Sequence, residues 1–166
     1  MTNKSDTELD VFELLMQDHR EVESLLREFQ YLARNRMDTA RVISDTCAEL
    51  KMHDTLATQV LYEAVNEAAD EEKIDRLIGD AEEERDRILE LIEKLEQTPD
   101  NKQRNACFTR LAELVGQHVL KEETERFPLV RKLERLDLGT ITAAMKKRRT
   151  DLMSEMLIAE GGEQPA

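Results

Sequence analysis

Three histidines occur in the chain, and each stands where a helix would otherwise present an apolar residue to a core. His19 follows Leu15 by four residues and precedes Val22, Leu26 and Phe29, which puts it in the inward stripe of an amphipathic helix. His118 lies three residues after Val115 and seven after Leu111, with Glu122 one turn further along the same face, so an imidazole and a carboxylate point the same way. His53 falls between Leu50 and Ala57, again on the inward side. Imidazole nitrogen and carboxylate oxygen are the donors that zinc and iron accept. One inward histidine alone reads as a hydrogen-bonded core residue. Three on separate helices, together with Glu122, are better explained as the ligands of a metal site inside a bundle, retained or vestigial.

Helices of the right length must carry these side chains. The first runs roughly from Leu9 to Arg34 and the second from about Thr39 to Asn66, with acidic residues from Glu67 to Glu72 marking the connection to the third. The third, Glu72 to about Glu96, turns Ile74, Ala81, Ile88 and Ile92 inward and has no histidine. Instead Arg85 lies within its apolar stripe, where an unpaired guanidinium would cost several kcal/mol. Thr98 and Pro99 read as the N-cap and first turn of a fourth helix. In it Phe108, Leu111, Val115, His118 and Glu122 are spaced 3, 4, 3, 4, and Phe127-Pro128 ends or bends it. A fifth helix, about Thr140 to Ile158, carries Ile141, Met145, Leu152 and Met156. Long helices with short connections lie antiparallel to their neighbours. The expectation is therefore an all-α, up-down-up-down four-helix bundle with an additional C-terminal helix over residues 9–158. Residues 1–8, with Ser5 and Glu8 at capping-box spacing, and 159–166 read as disordered ends.

Composition agrees and excludes several functions. Five Gly, three Pro and 37% charged residues suit a helical protein, and 166 residues suit one domain. The net charge of -13 repels phosphate backbones, which argues against a nucleic-acid partner. The basic run from Lys146 to Arg149 reads as a solvated surface, and Cys47 and Cys107 as core thiols. No segment approaches the roughly 20 apolar residues of a membrane span. The opening residues also lack the apolar run of a secretory signal, so the expected location is the cytoplasm. No nucleophile with a base partner and no phosphate loop stands out. Tyr31 and Tyr62 read as ordinary core-edge residues.

Certain stretches resemble the hemerythrin-like, or HHE cation-binding, family. Gln17-Asp18-His19-Arg20-Glu21-Val22 is similar to the family's first motif, and Leu50-Lys51-Met52-His53 followed by Val60-Leu61-Tyr62 to its second. His118-Val119-Leu120-Lys121-Glu122-Glu123 before Phe127-Pro128 is similar to its most specific one, and the resemblance runs from about Val11 to Glu155. It implies a four-helix bundle holding a non-haem di-iron centre through histidines of all four helices and bridging carboxylates, in proteins of oxygen binding, oxygen or iron sensing, and stress defence. Two positions differ. Ala57 stands where the family pattern has a bridging Glu one turn after the second helix's histidine, and Arg85 fills the position of the third helix's histidine.

The ligand set that remains is His19, His53, His118 and Glu122, which suits a single ion of non-haem iron or another divalent metal. Asp54, Glu84 or Glu123 could swing in as auxiliaries, though each lies about 100° round its helix from the ideal position. The other reading is a metal-free interaction module in which Arg85 binds Glu122 bidentately in place of the metal. The expected function is binding or sensing of a metal, oxygen or a stress signal rather than catalysis, with a protein partner or homo-oligomer left open. Peroxide or nitric oxide chemistry at a retained iron rests on analogy alone.

Overall fold

The computed structural model describes residues 9–162, and every regular element among them is helical. The expectations for residues 1–8 and 163–166, including a Ser5–Glu8 capping box, lie outside the described residues. Helix α1 (Val11–Arg34) is capped by Asp10, whose carboxylate accepts the Glu13 N–H at 2.9 Å. It closes through Arg36, at φ 56°, with the Met37 N–H returning to the Leu32 carbonyl at 2.8 Å. Helix α2 (Ala40–Leu56) passes through a wide π-helical turn, Ala57–Tyr62, into α3 (Glu63–Ala68). Helix α4 covers Glu72–Glu96. Helix α5 (Asn101–Lys121) leads through a second π turn, Glu122–Arg126, into α6 (Phe127–Arg131), and α7 covers Leu138–Gly162.

Three boundaries differ from the sequence expectation. Asp100, not Thr98, caps α5, accepting the Gln103 N–H at 2.9 Å, while the Thr98 hydroxyl donates back to the Lys94 carbonyl at 2.7 Å. Pro128 does not end the chain's helical path. The π turn ahead of it widens the backbone, and Pro128 falls in the first turn of α6, where a missing N–H removes no bond. Helix α7 begins two residues before Thr140 and runs on to Gly162.

The core forms two apolar clusters. One holds Val11, Phe12 and Leu15 of α1, Leu56, Leu61, Tyr62 and Val65 around the first π turn, Ile74 and Ala81 of α4, Phe127 and Val130 of α6, and Ile141 and Met145 of α7. The other holds Val22 and Phe29 of α1, Val42, Ile43, Cys47 and Leu50 of α2, Ile88, Ile92 and Leu95 of α4, and Phe108, Leu111, Val115 and Val119 of α5. Each fully buried large side chain contributes roughly 1.5–3 kcal/mol. Between the clusters lies a buried polar layer of Asp18, His19, His53, Glu122 and Arg126. Cys47 and Cys107 are free thiols, the first buried in the second cluster, as expected of core residues. Among the described residues no helix is long and apolar enough to cross a membrane.

Candidate metal centre

Glu122 is fully buried and opens the second π turn. His19 Nε2 lies 2.9 Å from its Oε2, and His53 Nε2 lies 3.5 Å from the same oxygen. On the other side, His118 Nε2 is 3.0 Å from Oε1, and the Tyr62 hydroxyl donates to Oε1 at 3.0 Å. Helical periodicity brings His118 and Glu122 together across one turn. The opposing π turn brings in Tyr62, so two local widenings of the helices meet at one carboxylate. Phe127 stacks on the His19 ring at 5.9 Å between centroids and closes the apolar side.

The second nitrogen of each histidine faces another carboxylate. His19 Nδ1 is 3.1 Å from Glu123, His53 Nδ1 is 3.4 Å from Asp18, and His118 Nδ1 is 3.2 Å from Glu84. A carboxylate behind Nδ1 holds the proton there and leaves Nε2 as the ligating atom, the usual support of a metal-bound histidine. Each of these carboxylates is in turn held by an arginine. Arg149 grips Asp18 through two bonds of 2.8 Å, Arg126 grips Glu84 at 2.9 and 2.7 Å, and Arg20 pairs with Glu123.

With protons in place of a metal, the cluster is strongly polarised. Burial disfavours a charged His53, but Asp18 and Glu122 outweigh it and hold the imidazole up at about 9. His118 is likewise raised to about 9, burial being overcome by Glu122 and then Glu84. Burial alone would raise Glu122, yet the three imidazoles hold it well below the carboxylate range. Burial and the neighbouring Glu122 keep Tyr62 protonated, as a donor. Burial would also raise Glu84, but His118, Lys121 and Arg126 bring it down to about 2.

The residues fit a cation. Nε2 of His53 is buried without a hydrogen-bond partner, an orphan that a metal would satisfy. Ligand atoms of His19, His53 and Glu122 lie within 4.8 Å of one another, whereas His118 addresses the other Glu122 oxygen. A cavity of about 340 Å³ reaches His53, His118 and Glu122 between α2, the first π turn, α4 and α5. Ala57 lines it, so the wall carries a methyl at the position where the sequence resemblance implies a bridging Glu.

Arg85 does not pair with Glu122. Its Nη1 donates to the Thr58 hydroxyl at 2.9 Å, its Nε is 3.5 Å from Asp54, and the side chain is 25% exposed. The π turn sets Thr58 across from α4, where it intercepts the guanidinium at the cavity wall, while Glu122 is already enclosed by imidazoles and a phenol. Asp54 is therefore engaged with Arg85 and Thr58, whereas Glu84 and Glu123 do back the histidines, through Nδ1. Sequence reasoning missed Tyr62, Asp18, Arg126 and Arg149. Asp18 precedes His19 directly and was visible as a neighbour. Arg149 sat in a basic run read as solvated surface, yet it reaches Asp18 from 131 residues away.

The family model described as the hemerythrin HHE cation binding domain matches residues 10–130. No curated protein and no solved structure matches the chain.

Proposed function

Because the chain belongs to the hemerythrin HHE cation-binding family, we propose that it holds one transition-metal ion, non-haem iron or another divalent metal, through His19, His53, His118 and Glu122. The observation that carries this is the shared polarity of the three imidazoles. Each has a carboxylate behind Nδ1, and all three Nε2 atoms converge on one buried carboxylate. A bound metal would supply a Lewis-acidic or redox-active centre there. The chain's own part is to fix the tautomer of each imidazole through Glu123, Asp18 and Glu84, to hold Oε1 of Glu122 through Tyr62, and to cover the His19 side of the site with Phe127.

Imidazoles each backed by a carboxylate, with a cavity that gives a small ligand access to His53, His118 and Glu122, support binding or sensing, and free Cys47 and Cys107 support a reducing, cytoplasmic setting. The up-down-up-down path belongs to the same reading. α1 and α4 begin in the first apolar cluster and end in the second, while α2 and α5 begin in the second and lead into the first. Alternating directions of this kind put all the ligands at one level of the bundle.

Elemental analysis of untagged protein, followed by titration with Fe(II) or Zn(II), tests the reading. One tightly bound ion per chain is expected, with loss of binding in His53→Ala. Two irons per chain, with the charge-transfer absorption of an oxo-bridged pair, would overturn the single-ion site, and no uptake at all would overturn the metal reading.

A further inference from the structure

We propose that Arg149 of α7 positions His53 through Asp18, so that docking of the C-terminal helix and occupation of the metal site are coupled. This deepens the metal-binding reading and rests on it. The fork of Arg149 meets both oxygens of Asp18 at 2.8 Å, and Asp18 Oδ2 shares its place with His53 Nδ1 at 3.4 Å. The Nδ1 atoms of His19 and His118 lie 3.1 and 3.2 Å from carboxylates that are likewise held by arginines. Arg20 is adjacent to His19, and Arg126 follows His118 within the same helical path. Arg149 instead comes from a helix beyond residues 10–130, the span that matches the family.

Arg149 also lies near the end of the well-buried part of α7, past which Leu152 is half-buried against the first apolar cluster and Leu152, Met156 and Ala159 line a groove with α2. Ahead of it Ile141 and Met145 are buried, the Thr142 hydroxyl accepts the Val11 N–H at 3.0 Å, and Arg148 donates to Gln59 of the first π turn at 3.1 Å. Beyond it Met153, Leu157 and Ile158 are 55%, 69% and 75% exposed. The Arg149 Nε is buried without a partner, so the hydrogen bonds that Arg149 makes go to Asp18. Arginine's planar fork fixes both the position and the plane of a carboxylate, which a lysine's point charge does not. Fixing Asp18 fixes the His53 ring, and whatever fixes the ring in turn favours the docked helix, because coupling between two sites is reciprocal.

Zn(II) affinity is measured by competition with a chromophoric chelator for the parent, Arg149→Met, Arg149→Lys and, as a control, Arg131→Met. Arg131 pairs with Asp10 away from the histidines. Arg149→Met should weaken binding about 10- to 100-fold, with Arg149→Lys in between and Arg131→Met unchanged. A purely structural Arg149 would lower the melting temperature in chelator yet leave affinity within about threefold in both Arg149 variants. That result, in a parent that binds Zn(II), overturns the inference while leaving the metal reading intact. If Arg149→Met does not fold, the same comparison is made on Arg149→Lys alone. Zn(II) should also slow amide exchange over residues 146–152 in the parent, and equal exchange with and without bound metal overturns the coupling. A parent that takes up no Zn(II) or Fe(II) overturns the metal reading itself.

Discussion

Glu122 receives three imidazoles and a phenol in a fully buried position, so its removal in the metal-free protein strands charges the interior cannot solvate. Glu122→Ala in chelator should cost about 3–5 kcal/mol of unfolding free energy. Arg85→Met should cost less than about 1 kcal/mol, because its partners Thr58 and Asp54 lie at a partly exposed cavity wall. The two residues share no partner, so urea unfolding of both single variants and the double should be additive within about 0.5 kcal/mol. A coupling well above that would restore the Arg85–Glu122 pair that these contacts exclude.

At the level of elements, the two π turns decide which side chains reach the carboxylate. Each holds one more residue per turn than the α-helix it interrupts, so the residues after it are rotated by about 100° relative to an unbroken helix. Tyr62 reaches Glu122 by virtue of the turn Ala57–Tyr62. Deleting Gln59, whose exposed side chain meets Arg148, removes the extra residue, so the segment should close to α-helix with Tyr62 at its present angle to His53, eight α-helical residues ending where nine with a π turn do. Circular dichroism should show helix content retained, and metal titration an affinity within about threefold of the parent's. An affinity reduced about tenfold or more in the folded deletion would mean that the first π turn shapes the site by more than this rotation.

Over the whole molecule, the polar layer splits the core in two, and contacts distant in sequence close it. One is the pair of Asp10 at the start of α1 with Arg131 at the end of α6, 121 residues apart. Burial alone would raise the pKa of Asp10, but the Arg131 hydrogen bond and the Glu13 N–H bring it below its ordinary 3.8. A carboxylate depressed on folding adds stability above its unfolded pKa and loses it as pH falls through the folded one. Asn at this position still caps the helix but carries no charge. In urea unfolding, the advantage of the parent over Asp10→Asn should therefore be no more than about 1 kcal/mol near neutral pH and shrink as pH falls below 3.8. An advantage that grows on acidification would sink this assignment.

The sequence by itself determined the all-helical class, the inward placement of His19, His53 and Glu122, and the family resemblance, because a period of 3.6 residues fixes which side chains share a helix face. It also marked Ala57 and Arg85 as departures. Tertiary structure decided what those side chains meet. Whether Arg85 reaches Glu122 or Thr58, and whether Tyr62 stays at the core edge or donates to the site, depends on two π turns that leave no periodic trace in the sequence. The capping of α5 by Asp100 rather than Thr98 turned on local geometry that two neighbouring oxygen-bearing residues could each have met. The arginines behind the three carboxylates lie 42, 103 and 131 residues from them, and a solvated basic run has the same composition as one that reaches inside. Only the packing of α7 against α1 distinguishes Arg149 from the charged surface around it, because pairing across helices depends on their relative rotation and separation, which no pattern along one chain encodes.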